Sequence, residues 1–403
     1  MADMHTILFQ IALILFTARV FAELFSRFNA PSMIGEIVAG ILLGPSLLGW
    51  IEPNDVLRLL AEIGIILLLF EVGLDTDLGR LVKSGTRSAV IAIVGFAAPF
   101  TLGFTASYYL FDLNLLVSLF VGGTLTATSI GITVRVLADL GRAQSREGQV
   151  VLGAAVIDDL LGVFLLAVLY EFATSGTVSI QNTGMIVLYV GLFFLLAPIA
   201  ARMLSPVIHR LYNKSDVPGL MPSILVAMVL FFAGLAQTVG APHILGGFIA
   251  GIALSRRFFL PFGMALNIDS DFVEQTDRQM KPIIQLFTPM FFVMVGLSLD
   301  LQAVEWGSGF IWAFSLVLAL LAIVGKLIGP WFVSGDVHSR MVVGMAMVPR
   351  GEVGLIFAEL GRVAGIIKDD VYAGLVLVIA YTTLASPFWL KIYYQKYGDK
   401  LKE

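Results

Sequence analysis

Apolar runs of about twenty residues recur along the whole chain, separated by short polar stretches, and runs of that length match the hydrocarbon core of a bilayer. They predict span 1 near 5–26, span 2 near 31–49, span 3 near 56–74, span 4 near 88–110 and span 5 near 114–137. Span 6 follows near 148–171, span 7 near 184–206, span 8 near 218–239 and span 9 near 242–256. Span 10 lies near 282–300, span 11 near 309–333, span 12 near 339–361 and span 13 near 370–392. The remaining stretches are too short to build a soluble domain of any size. The fold class is therefore an all-α polytopic membrane protein with about thirteen transmembrane helices.

Charge sorts the loops. Placing the C-terminus in the cytoplasm puts nineteen Lys and Arg inside, and only Arg58, Arg362 and Lys368 outside. That asymmetry predicts an inner-membrane protein with its N-terminus outside and its C-terminus in the cytoplasm. The first apolar run has no basic residues before it and is expected to be retained rather than cleaved. Charged residues make up 13% of the chain, about half the share of a soluble domain, and no basic face for nucleic acid is present. Cysteine is absent, which excludes disulfides, thiolate metal sites and cysteine nucleophiles. No cofactor is expected.

The spans repeat. Val72-Gly-Leu-Asp-Thr-Asp-Leu78 at the end of span 3 matches Val295-Gly-Leu-Ser-Leu-Asp-Leu301 at the end of span 10. The same offset carries Gly131-Ile-Thr133 in span 5 onto Gly354-Leu-Ile356 in span 12, and Val38-Ala-Gly-Ile-Leu-Leu43 resembles Ile249-Ala-Gly-Ile-Ala-Leu254. Residues 1–182 then form a first repeat of spans 1–6, residues 183–217 a linker with span 7, and residues 218–403 a second repeat of spans 8–13. An offset of seven spans turns the second copy upside down, the arrangement of many alternating-access transporters.

The chemistry lies in the later spans of each repeat. Asp158 and Asp159 are adjacent carboxylates in the middle of span 6, where each ionised group costs roughly 2.5–3.5 kcal/mol on insertion scales. Neighbouring helix positions point about 100° apart, so the two can face different surroundings. Lys326, inside span 11, needs an anionic partner, and Asp158 is the candidate: either as a static bridge or as one that breaks and forms during transport. In span 12, Pro349-Arg350-Gly351-Glu352 places a helix breaker, a flexible residue and two charges together. This predicts an interrupted helix, paired with one at Thr128 and Ser129 in span 5, with Arg350 and Glu352 balancing the helix ends. Arg19, four residues before Glu23, reads as a snorkelling or locally paired arginine.

These residues resemble a known family. Asn29-x-Pro31-x-x-x-Gly35-Glu36-Ile-x-Ala39-Gly40-x-x-Leu43-Gly44-Pro45, Ala127-Thr-Ser129, Asp158-Asp159, Gly325-Lys326 and Pro349-Arg-Gly-Glu352 are together similar to the core motifs of the monovalent cation:proton antiporter-2 family, close to its NapA-type sodium/proton antiporters. The resemblance spans nearly the whole chain. It implies a homodimer in the lipid bilayer, exchange of Na+ (or Li+, sometimes K+) for H+, and a core of spans 4–6 and 11–13 that moves against a dimerisation domain. Two adjacent Asp plus the core Lys imply an electrogenic exchanger.

A hard monovalent cation requires oxygen ligands. Asp159 is expected to be the principal Na+ ligand, helped by Thr128, Ser129 and backbone carbonyls at the span 5 break, with protons competing for the same carboxylates. The alternatives are K+/H+ exchange and a Na+-coupled organic anion symporter of similar architecture. The chain is not expected to be an enzyme: an intramembrane aspartyl protease needs its two Asp on different helices, and here they are adjacent.

Overall fold

A computed structural model describes residues 4–401 apart from 29, 77, 176–179, 215–216, 218, 256–269, 300 and 303. Its helices are α1 (Met4–Arg27), α2 (Ser32–Leu43), α3 (Asp55–Asp75), α4 (Leu78–Thr105), α5 (Leu115–Thr126), α6 (Ile130–Asp139), α7 (Arg146–Ser175) and α8 (Ile180–Lys214). The series continues with α9 (Leu220–Thr238), α10 (His243–Leu254), α11 (Ser270–Leu297), α12 (Gly309–Ile328), α13 (Val337–Ala346), α14 (Glu352–Val363) and α15 (Asp369–Tyr397). No strand occurs among the described residues. Among the described residues, eight helical stretches suit a bilayer crossing by length and apolarity, and Ser32–Leu43, Leu188–Leu204 and His243–Leu254 are shorter apolar helices. Two predicted spans are each built from two helices: span 5 from α5 and α6, span 12 from α13 and α14.

Several helix starts are written locally. Asn114 accepts the Val117 amide at 2.9 Å to begin α5, and Asp336 accepts that of Ser339 at 3.2 Å to begin α13. Pro31 and Pro242 stand immediately before α2 and α10 with nearly the same backbone angles, φ −59° and ψ 131° against φ −56° and ψ 131°. The two short helices carry the similar segments Val38–Leu43 and Ile249–Leu254.

The chain divides into two compact units. The first comprises Met1–Asn54, Ser84–Val178 and Phe292–Glu403. Its apolar centre is formed by Phe120 of α5, Phe314 and Leu318 of α12, Phe357 of α14 and Leu375 of α15, all fully buried. In this unit α2 crosses the end of α11 at glycine on glycine. A methyl group added to either Gly40 or Gly296 would stand 2.9 Å from the Cα of the other, so the backbones touch where the repeat motifs place their glycines.

The second unit comprises Asp55–Lys83 and Ser179–Phe291. Here α10 packs on α3, α8 and α9. The α3–α10 crossing repeats the same device: a methyl on Gly251 would stand 2.9 Å from the Gly73 Cα, and one on Gly73 would stand 3.1 Å from the Gly251 Cα. Each crossing therefore joins a glycine of one motif type to a glycine of the other. Arg202 of α8 is buried in this unit and donates to the Ala253 carbonyl at 2.9 Å, at the last turn of α10.

Candidate functional site

The interrupted helices follow from backbone chemistry. α5 ends at Thr126, and Ala127 adopts φ −65° and ψ 134° before α6 starts at Ile130. α13 ends at Ala346, and Pro349, which has no amide hydrogen to give, precedes Gly351 at φ −150° and ψ −139°. The two unwound segments satisfy each other. The Ser129 amide donates to the Pro349 carbonyl at 2.9 Å, the Thr128 hydroxyl to Met347 at 3.1 Å, and the Thr133 hydroxyl to Ala346 at 2.7 Å. Thr383 of α15 donates to the Arg350 carbonyl. Opened backbone at bilayer depth is thus covered by protein donors. Gly351 is needed for this approach, since a Cβ there would lie 2.6 Å from the Ser129 hydroxyl oxygen.

Charge of each sign sits at a matching helix end. Arg350 is fully buried, and its guanidinium donates to the carbonyls of Leu125 at 2.8 Å and Ala322 at 3.1 Å, and also to that of Val348. Leu125 lies in the last turn of α5 and Val348 just past α13, so the cation caps two negative helix ends. Asp158 of α7 does the converse, accepting the Thr128 amide at 3.0 Å just ahead of α6. Lys326 of α12 then reaches both Asp158 oxygens at 3.0 Å, with both side chains fully buried. Asp159 is buried beside it, as are Thr128 and Ser129. The structure therefore gathers Asp158, Asp159, Thr128, Ser129, Lys326 and Arg350 around one crossing in the first unit. The backbone of Glu352 opens α14, and its side chain lies outside the described residues.

One expected pairing is different. Arg19 Nη1 lies 3.7 Å from Glu36 Oε1, and Glu23 instead pairs with Arg27 at 2.9 Å. Proximity along α1 suggested Glu23, but α2 packs on α1 and brings Glu36 to the arginine. Glu36 is only 1% exposed, and among the described residues neither of its carboxylate oxygens has a hydrogen-bond donor. Close by, Arg135 pairs with Asp139 at 3.2 Å and Ser32 donates to Asp139 at 3.3 Å. The sequence signal for this buried carboxylate was its fifth position in a short apolar helix.

Residues 12–396 match the family model described as sodium/hydrogen exchanger, transmembrane. The chain belongs to the sodium/hydrogen exchanger family. It is a multi-pass membrane transporter that exchanges Na+ for H+, and it is not an enzyme. Among relatives of this exchanger, the high-affinity Na+/H+ antiporter NhaS3 of Synechocystis sp. is 33% identical over 98% of this chain and 91% of its own length. The Na+/H+-K+ antiporter GerN of Bacillus cereus is 34% identical over 95% of each chain. The structure of the sodium proton antiporter MjNhaP1 from Methanocaldococcus jannaschii superposes with a TM-score of 0.67, covering 99% of this exchanger and 98% of that chain at 17% identity. The antiporter fold is thus shared well beyond the range of close sequence similarity.

Proposed function

We propose that this exchanger is an electrogenic, NapA-type member of its family, in which Na+ and protons compete for the Asp158–Asp159 pair by alternating access. The observation that carries the reading is the buried contact of Lys326 with both Asp158 oxygens at 3.0 Å, next to a second buried carboxylate. Asp159 is assigned as the principal Na+ ligand, with Thr128, Ser129, backbone carbonyls near the α5–α6 break and water completing an oxygen shell. Lys326 holds Asp158 when no cation is bound and releases it during the cycle, so its charge enters the coupling. Arg350 and Glu352 balance the interrupted helix ends and do not touch the ion.

Obligatory exchange follows if the core crosses only when loaded with Na+ or with protons. The core is assigned to predicted spans 4–6 and 11–13 of the two repeats, moving against the remaining spans, which form a homodimer. The N-terminus is placed outside and the C-terminus in the cytoplasm, on the loop charge asymmetry. Flux measured in proteoliposomes with Na+, Li+ and K+, with and without an imposed potential, tests the scheme. Exchange that is accelerated by potential in the direction of net proton charge supports it, and exchange indifferent to potential contradicts the electrogenic part. A second reading, K+ as an additional substrate, is favoured by the 34% identity to a Na+/H+-K+ antiporter. The K+ arm of the same assay decides it.

A further inference from the structure

A cavity of about 280 Å³ lies in the first unit, away from the paired carboxylates, and four cationic side chains line it: Arg87, Arg146, Arg340 and Lys400. None of the four forms an ion pair among the described residues. Arg87 donates to the Ser334 hydroxyl at 3.3 Å. Arg340 lies over the Trp331 ring at 5.5 Å, and its Nε is buried without a hydrogen-bond partner. Two carboxylates also face the cavity, and both are engaged. Asp336 caps the start of α13, and Glu147 accepts the Tyr394 hydroxyl at 3.3 Å. The balance is a pocket with surplus positive charge and unused donors, which suits a phosphate.

The position selects the source of that phosphate. α12 is a 20-residue apolar helix, about 30 Å long and so as long as the hydrocarbon core is thick. The cavity lies against the turn that follows it, Gly329–Phe332, which supplies Pro330 to the wall. The apolar stretch Gly309–Phe332 is long enough for one bilayer crossing and ends at this turn, which sets the cavity toward one membrane face. Beside the pocket, Trp331 and Phe332 are 49% and 67% exposed, as expected of side chains at a lipid interface. A phosphate held by the four cations would therefore have acyl chains running along exposed aromatic surface.

We propose that this cavity binds the phosphodiester headgroup of an anionic glycerophospholipid, with Arg87, Arg146, Arg340 and Lys400 as its ligands. The assignment does not depend on the transport mechanism. The test is native mass spectrometry of the full chain, titrated with phosphatidylglycerol, phosphatidylcholine or pyrophosphate. Wild-type protein should retain phosphatidylglycerol in preference to phosphatidylcholine. Arg146→Gln with Arg340→Gln should weaken that retention about tenfold or more and leave phosphatidylcholine binding unchanged. Arg87→Gln with Lys400→Gln should give the same loss from the other side of the cavity, so failure of one variant to fold leaves the test intact. Equal retention of the two lipids, unchanged phosphatidylglycerol binding in the variants, or pyrophosphate binding as tightly as the lipid would each overturn the proposal.

Discussion

Lys326 Nζ stands 3.0 Å from each oxygen of Asp158, and both side chains are fully buried. A buried pair of this kind contributes little net stability compared with an apolar pair, because both groups lose water. Breaking it is another matter, since the remaining charge is left uncompensated at a cost of roughly 3–5 kcal/mol. Asp158→Asn and Lys326→Met alone should therefore lower the melting temperature in detergent, and the double variant should recover much of the loss. A double variant that melts below both singles would show that the pair is not the relevant contact.

The same lysine carries a transport prediction. Lys326→Gln should reduce or abolish the charge moved per cycle, measured as current on a solid-supported membrane at saturating Na+. Undiminished current with normal exchange would show that its charge is not part of the coupling.

Arg350 spans carbonyls from three separate segments, at Leu125, Ala322 and Val348. Only a planar fork can serve them together, so Arg350→Lys is not conservative here. Loss of two charge-assisted hydrogen bonds in a buried site should cost about 3 kcal/mol or more. The expected result is a marked drop in melting temperature for both Arg350→Lys and Arg350→Gln. A lysine variant as stable as wild type would mean that a point charge suffices.

Close packing beside the lysine gives a further prediction. A Cβ on Gly325 would lie 2.7–2.9 Å from backbone and ring atoms of Pro99 in α4, so Gly325→Ala should destabilise by about 1–3 kcal/mol. Gly309, at the other end of α12, meets nothing within 4 Å. Gly309→Ala should be near neutral or slightly stabilising, and thermal melts of the two variants side by side check the contrast.

Much of this was legible in the chain because membrane physics restricts what a sequence can mean. Twenty apolar residues imply a helix, and carboxylates at Asp158 and Asp159 need compensation, for which Lys326 was the available mid-span cation. Boundaries were less legible. The apolar run of span 2 extends to residue 49, yet α2 stops at Leu43, because apolarity does not report that Gly44 leaves the helix at ψ −174°. α11 begins at Ser270 rather than near 282, since a polar segment keeps its helical hydrogen bonds outside the apolar window. The partners of Arg350 lay furthest from reach. Leu125 is 225 residues away and contributes only a carbonyl, which no side-chain pattern reveals. Glu36 and Arg19 were likewise joined by helix packing, not by spacing along one helix.

If Na+ and H+ share one acidic site, Na+ affinity of purified protein must depend on pH, and that dependence is the most direct test. Isothermal titration of wild-type protein should show affinity falling steeply on the acid side, by up to about tenfold per pH unit for one-for-one competition. Asp159→Asn should bind no Na+ at any pH. Na+ held equally well in acid and in alkali, or undiminished binding by Asp159→Asn, would contradict the shared site.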